Sequence, residues 1–165
     1  MFKVFLVFLT WVGTASGVFA SGLPSLEDLP SWQASPPEFL TYSGKFKAFS
    51  LRRTYQREDG AQLDIFLAGG PEGARLMRVL KGRIEINTKE YLLKYDKEGA
   101  YQVLYSFVPP EKRGFIAVFL QEKPTVILFA RFLALDLKEA LNLLKTFDWA
   151  RLLSQAQAFL KEESP

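Results

Sequence analysis

The sequence predicts an α+β fold: a mostly antiparallel sheet of about six or seven strands, one short inserted helix, and two C-terminal helices packed on the sheet. Three observations carry that expectation. Between Tyr42 and Phe132, apolar residues recur at every second position between short turn signals. One stretch inside that region, opened by Gly69-Gly70-Pro71, switches to helical spacing. After Phe132 the spacing becomes helical again and stays so.

The first segment, Met1–Ala20, stands apart. Lys3 is its one charge, Val4–Leu9 is an unbroken apolar run, and small residues lead into Val18-Phe19-Ala20. A basic start, a short apolar core and a small-residue exit make a secretory signal peptide, cut after Ala20. The apolar core falls short of the roughly 20 residues that a bilayer span needs. The expected location is therefore periplasmic or secreted; the alternative is a membrane anchor through residues 2–20 that stays uncleaved. Residues 21–40 are rich in Pro and Ser and read as a leader lying loosely on the domain, with Leu26–Leu29 as one helical turn. Pro36 and Pro37 mark the boundary of a single α+β domain over residues 41–160, and residues 161–165 should fray.

Within the domain, Phe49, Leu51, Arg53 and Tyr55 alternate on the first strand, with Phe46 and Ala48 out of phase, which predicts a bulge or a twist near residue 48. Glu58-Asp59-Gly60 is a hairpin signal. Leu63, Ile65 and Leu67 face the core of the next strand, and Gln62 and Asp64 face out. Ala74, Met77 and Leu80 repeat at helical spacing up to a left-handed stop at Gly82. Short strands follow at Ile84–Ile86 and Tyr91–Tyr95, then a turn at Asp96–Gly99 and a strand through Tyr101, Val103, Tyr105 and Phe107. Val108–Gly114 reads as a long, rigid, protruding loop. Phe115–Leu120 and Thr125–Phe132 are apolar on both faces and belong in the middle of a covered sheet, joined as an antiparallel pair. Asp136 and Glu139 form a capping box for one helix, and Asp148 caps the next, which runs through Leu152, Leu153, Ala156 and Phe159.

Composition limits the chemistry. The 165 residues include no Cys and no His, 15 Phe, 21 Lys plus Arg and 18 Asp plus Glu, for a formal charge of +3. Disulfides, thiol nucleophiles, Cys or His metal sites and imidazole acid–base catalysis are excluded. No cofactor is implied. The weak positive surplus argues against nucleic acid as a partner and against membrane contact, except through an uncleaved N-terminal segment. The lack of Cys and His, with abundant Lys and Glu, fits a heat-adapted source.

Candidate site residues are few. Gly69–Gly73 between a strand and a helix invites a phosphate-loop reading, but no Lys-Ser/Thr follows and Pro71 removes a donor. The carboxylates sit in turns and at helix starts, and none forms an evident catalytic pair. Arg53 and Tyr55 share a strand face and could hold an anionic or planar partner. Tyr91, Tyr95, Tyr101 and Tyr105 lie on consecutive strands and would form one aromatic ladder if those strands pair. These six residues are the candidate partner or ligand surface.

The strand ending in Arg131-Phe132, the helix start at Asp136, Phe147-Asp148-Trp149, and the earlier Arg53, Tyr55 and Gly70-Pro71 give the chain a resemblance to small exported bacterial proteins of unknown function. That resemblance implies location and architecture and no named activity. The expected role is non-enzymatic: partner binding or envelope assembly, with an envelope protein as the partner. The alternative is a carrier of a small apolar or lipid ligand in a cavity of roughly 300 Å³ or more between sheet and helices.

Overall fold

The computed structural model describes residues 23–42, 45–82 and 84–161. The expected signal peptide at Met1–Ala20 and the tail beyond Lys161 lie outside the described residues.

The fold is α+β with an antiparallel sheet, but among the described residues that sheet has nine strands rather than six or seven. The additional strands come from the segment expected to be a loose leader. β1 (Gln33–Ala34) and β2 (Glu38–Tyr42) both pair with β3 (Ala48–Gln56). β4 (Gln62–Gly69) returns along β3 through the Asp59-Gly60 turn, where Gly60 takes a φ of 89°. The chain then passes through helix α1 (Pro71–Leu80) to the far edge of the sheet. From there β5 (Ile86–Asn87), β6 (Leu92–Glu98), β7 (Tyr101–Val108), β8 (Arg113–Glu122) and β9 (Thr125–Leu133) step back strand by strand until β9 pairs with β4. Helices α2 (Leu137–Thr146) and α3 (Trp149–Lys161) complete the described chain. None of the described helices is long and apolar enough to cross a membrane.

Strand alternation divides the apolar residues into two clusters. One joins Leu51, Tyr55, Leu63, Ile65, Val118 and Leu128 of the strands to Ala140, Leu144, Leu152 and Ala156 of α2 and α3. The other joins Ala68, Leu93, Leu104, Ala117 and Ile127 to Met77 and Leu80 of α1. Helices therefore meet both faces of the sheet, two on one side and one on the other.

Several local expectations need correction. Leu26–Leu29 is not a helical turn. The Leu26 and Glu27 carbonyls accept from side chains of β3, the Leu29 carbonyl accepts from the Trp32 N–H, and Leu26 and Leu29, each 4% exposed, are part of the core. Pro36 and Pro37 therefore do not mark the start of the folded unit. There is no bulge near Ala48: β3 and β4 pair without interruption from Phe49 to Gln56, and the one register shift falls between Phe119 and Gln121 of β8. The supposed long loop at Val108–Gly114 is a tight 3-10 turn, Pro109–Glu111, closed by Lys112 in the left-handed region. Asp136 makes no capping hydrogen bond; it lies 3.5 Å from Lys112, while Glu139 binds Arg57. Asp148 does accept from the Arg151 N–H at 3.0 Å, as the sequence suggests.

Candidate functional site

Arg53 and Tyr55 stay together on the α2/α3 face, but the protein's own leader occupies them. Arg53 donates through Nε to the Ser35 carbonyl at 2.9 Å, through Nη1 to the Leu26 carbonyl at 2.6 Å, and through Nη2 to Asp28 at 2.5 Å. The Tyr55 hydroxyl donates to the Glu27 carbonyl at 2.7 Å, and its ring packs 5.9 Å from that of Phe147. Burial pushes the Tyr55 hydroxyl up to about 12, against the pull of the neighbouring Arg53 charge. Arg151 Nη2 lies 2.9 Å from Glu27 Oε1, an ion pair whose angle falls outside hydrogen-bond geometry. Arg57 stacks on Trp32 at 4.9 Å. An extended, proline-rich strap with few backbone partners thus finds them in side chains.

The tyrosines do not form one ladder. β6 and β7 pair as expected, but Tyr95 faces Leu104, Tyr105 faces Lys94 and Tyr101 faces Glu98. Tyr91 and Tyr95 therefore lie on the α1 face, and Tyr101 and Tyr105 on the α2/α3 face. Each is used internally. The Tyr91 hydroxyl is 3.2 Å from Ser106 Oγ, and that of Tyr95 donates to the Leu80 carbonyl at 2.9 Å. Tyr101 packs edge-on against Trp149 at 5.8 Å. The Tyr105 hydroxyl donates to Glu98 at 2.8 Å, and burial together with that carboxylate raises its pKa.

The glycines of Gly69–Gly73 serve packing. Gly70 starts α1 with a φ of 70°, and a Cβ there would sit 2.3 Å from the Lys47 carbonyl. A Cβ on Gly73 would come within 2.9 Å of the Ala68 carbonyl and 3.1 Å of the Thr125 carbonyl, so glycine is what lets α1 lie close on β4 and β9.

The geometry that remains open lies on the α1 face, in a groove that none of the six candidate residues lines. The groove, of about 740 Å³, runs between α1 and the edge strand β2. Leu40 and Tyr42 of β2 form one side, Leu76 and Val79 of α1 the other, and Ser50, Phe66 and Phe129 the floor. Leu40, Tyr42 and Val79 are 57%, 51% and 60% exposed. Beside the floor, Asp64 gathers three donors: Thr54 Oγ1 at 2.6 Å, Arg131 Nη2 at 2.5 Å and Arg52 Nη2 at 3.1 Å. Both guanidiniums also lie over the Phe66 ring, Arg52 at 5.2 Å and Arg131 at 5.7 Å. Burial pushes the Asp64 carboxyl up, but the bonds from Thr54, Arg131 and Arg52 outweigh it and hold the group below the usual carboxylate range. A second hollow of about 380 Å³ lies under the leader, between Leu23 and Asp28 on one side and Phe39, Leu51 and Arg53 on the other.

One signal for the groove was present in the sequence. Phe66 and Phe129 are apolar residues out of phase with their core-facing neighbours, which means they face the other side of the sheet. Leu40 and Tyr42 share a strand phase too, on either side of the expected boundary between leader and domain. Among the described residues no group of acidic side chains is placed to hold a metal ion. Comparison of the chain with family models, curated proteins and solved structures returns no match.

Proposed function

We propose that this chain is an exported binding domain and that the groove between α1 and β2 holds a small apolar molecule. The observation that carries the reading is the groove itself: about 740 Å³, walled by Leu40, Tyr42 and Val79, which a monomeric surface leaves in water at a cost. The residues first expected to bind a partner support it indirectly. Arg53, Tyr55 and the four tyrosines are engaged within the fold, and the groove is the larger of the two apolar hollows described above. Export rests on the pattern of the first twenty residues.

A second reading, a protein partner in an envelope assembly, is favoured by β2 as an edge strand. Among the described residues β2 pairs only with β3, which leaves its other edge unpaired, and Leu40 and Tyr42 stand exposed beside that edge on the α1 face. The test is titration with the neutral fluorescent probe N-phenyl-1-naphthylamine. The wild type should bind one equivalent. Ser50→Phe, which lays a ring across the groove floor, should weaken binding at least about fivefold while leaving the fold intact. Absence of binding, or binding indifferent to that substitution, rules the groove out as a ligand site. Fractionation of cells expressing the full chain checks location: a product retained in the cytoplasm with residues 1–20 attached overturns export.

A further inference from the structure

We infer that the groove's ligand is a single-chain anionic amphiphile: one acyl chain along the apolar trough, with its carboxylate at Arg131 and Arg75. This deepens the reading of the groove as a small-molecule site and rests on it.

The trough is apolar along its length and charged only at particular points. Its charged lining residues are Arg75, Arg131 and Glu72, a surplus of positive charge. Arg75 on α1 donates to Glu72 at 2.5 Å and is otherwise exposed to solvent. Arg131 on β9 is oriented from beneath. One of its five donors is taken by Asp64, and its plane is steadied by the Phe66 ring. Asp64 cannot fully neutralise it, because the same carboxylate also serves Arg52 and Thr54. Glu38, opposite Arg52 across β2 and β3, acts on the charge of Arg52. The result is a guanidinium held in place with unspent donors at the edge of an apolar floor. A carboxylate matches that fork with two parallel hydrogen bonds. A neutral head would leave the donors to water, and a cationic head would be repelled.

The experiment is calorimetric titration of the full chain, below micelle-forming concentrations, with four probes. Dodecanoate, dodecyl maltoside and dodecyltrimethylammonium share the tail and differ in the head; butyrate carries the head with almost no tail. Dodecanoate should bind about tenfold more tightly than the maltoside and more tightly still than the ammonium, and butyrate should not bind measurably. Shortening the carboxylate from dodecanoate to decanoate should cost about threefold per methylene removed. Arg131→Gln should erase most of the preference for dodecanoate while leaving maltoside binding within about twofold. Arg75→Gln, at a solvent-exposed helix position, should reduce the preference less and cannot act through misfolding.

Equal binding of the three dodecyl probes, or a preference that survives both arginine substitutions, overturns the assignment of the head and leaves the groove reading standing. Butyrate binding as tightly as dodecanoate overturns the role of the tail. If none of the four probes binds, the groove reading falls together with this inference.

Discussion

Arg52 and Arg53 are neighbours in β3, and the sheet turns them to opposite fates. Arg53 points to the face covered by α2, α3 and the leader, where its donors go to the chain's own carbonyls and to Asp28. Arg52 points to the face carrying α1 alone, where it shares Asp64 with Arg131 and lies over Phe66 beside an open groove. The same division runs through β4. Leu63, Ile65 and Leu67 are sealed beneath helices, while Asp64 and Phe66 remain within reach of solvent. The difference lies in how much chain covers each face. Two helices and a strap close one side, and a ten-residue helix cannot close the other. Aromatic and cationic residues on the closed side act as clamps; on the uncovered side the same residue types are left to meet something else.

The comparison is broken most directly at the strap. Leu26 is buried between the leader and the α2/α3 face, close to the hollow lined by Phe39 and Leu51. Leu26→Ala removes buried methylenes at a site whose neighbours are held by hydrogen bonds and cannot collapse freely. It should destabilise the protein by about 2–4 kcal/mol in urea denaturation. A loss below about 1 kcal/mol would mean that the leader rests on the closed face without forming part of it.

How far the sequence could show this asymmetry depended on the range of the interactions. Most of the strands from β3 to β9 were legible because their signals are local, alternation in β3, β4, β6 and β7 and unbroken apolar runs in β8 and β9, although β5 falls at Ile86–Asn87 rather than Ile84–Ile86. Helix α1 was legible because its Gly-Pro start and its apolar stripe are local too. The strap was not. Its two buried leucines carry no periodicity, Pro24 and Pro30 flank them, and their partners Arg53 and Tyr55 are more than twenty residues away. That gap also accounts for the uncounted strands, since β1 and β2 are short segments that exist only against β3. The tyrosine ladder failed on register. A two-residue turn sets Glu98 against Tyr101, so every odd-numbered residue of β6 faces an even-numbered one of β7, and the odd-numbered tyrosines part. The groove was invisible because it needs the angle of α1 over the sheet, although out-of-phase Phe66 and Phe129 hinted that the second face was not plain surface.

The uncovered face has its own structural anchor, and pH should expose it. The folded-state pKa of Asp64 lies below its unfolded value of about 4, so its contribution is fully present above that value and is lost as pH falls through the lowered one. Asp64→Asn should cost about 1–2 kcal/mol at pH 7, because two guanidiniums lose a shared carboxylate in a partly solvated setting. The gap between variant and wild type should narrow as pH falls below about 4. Denaturation curves at pH 7 and pH 3 decide it. A gap that persists undiminished in acid would show that the carboxamide disturbs packing rather than charge.

The smallest effect on the fold falls at the groove mouth, and it is the most informative about what that face is for. Leu40 is 57% exposed in an edge strand, so Leu40→Ser gives up little buried area and should change stability by no more than about 0.5 kcal/mol. If the groove is a binding surface, the same substitution should weaken N-phenyl-1-naphthylamine binding several-fold, because the ligand buries the side chain that the fold leaves out. Stability and binding would then be separable on the α1 face, whereas Leu26→Ala on the opposite face should move stability first. Should Leu40→Ser lower stability as much as a core truncation, β2 is held by contacts on its outer side, and the exposed apolar wall would belong to the fold rather than to a ligand.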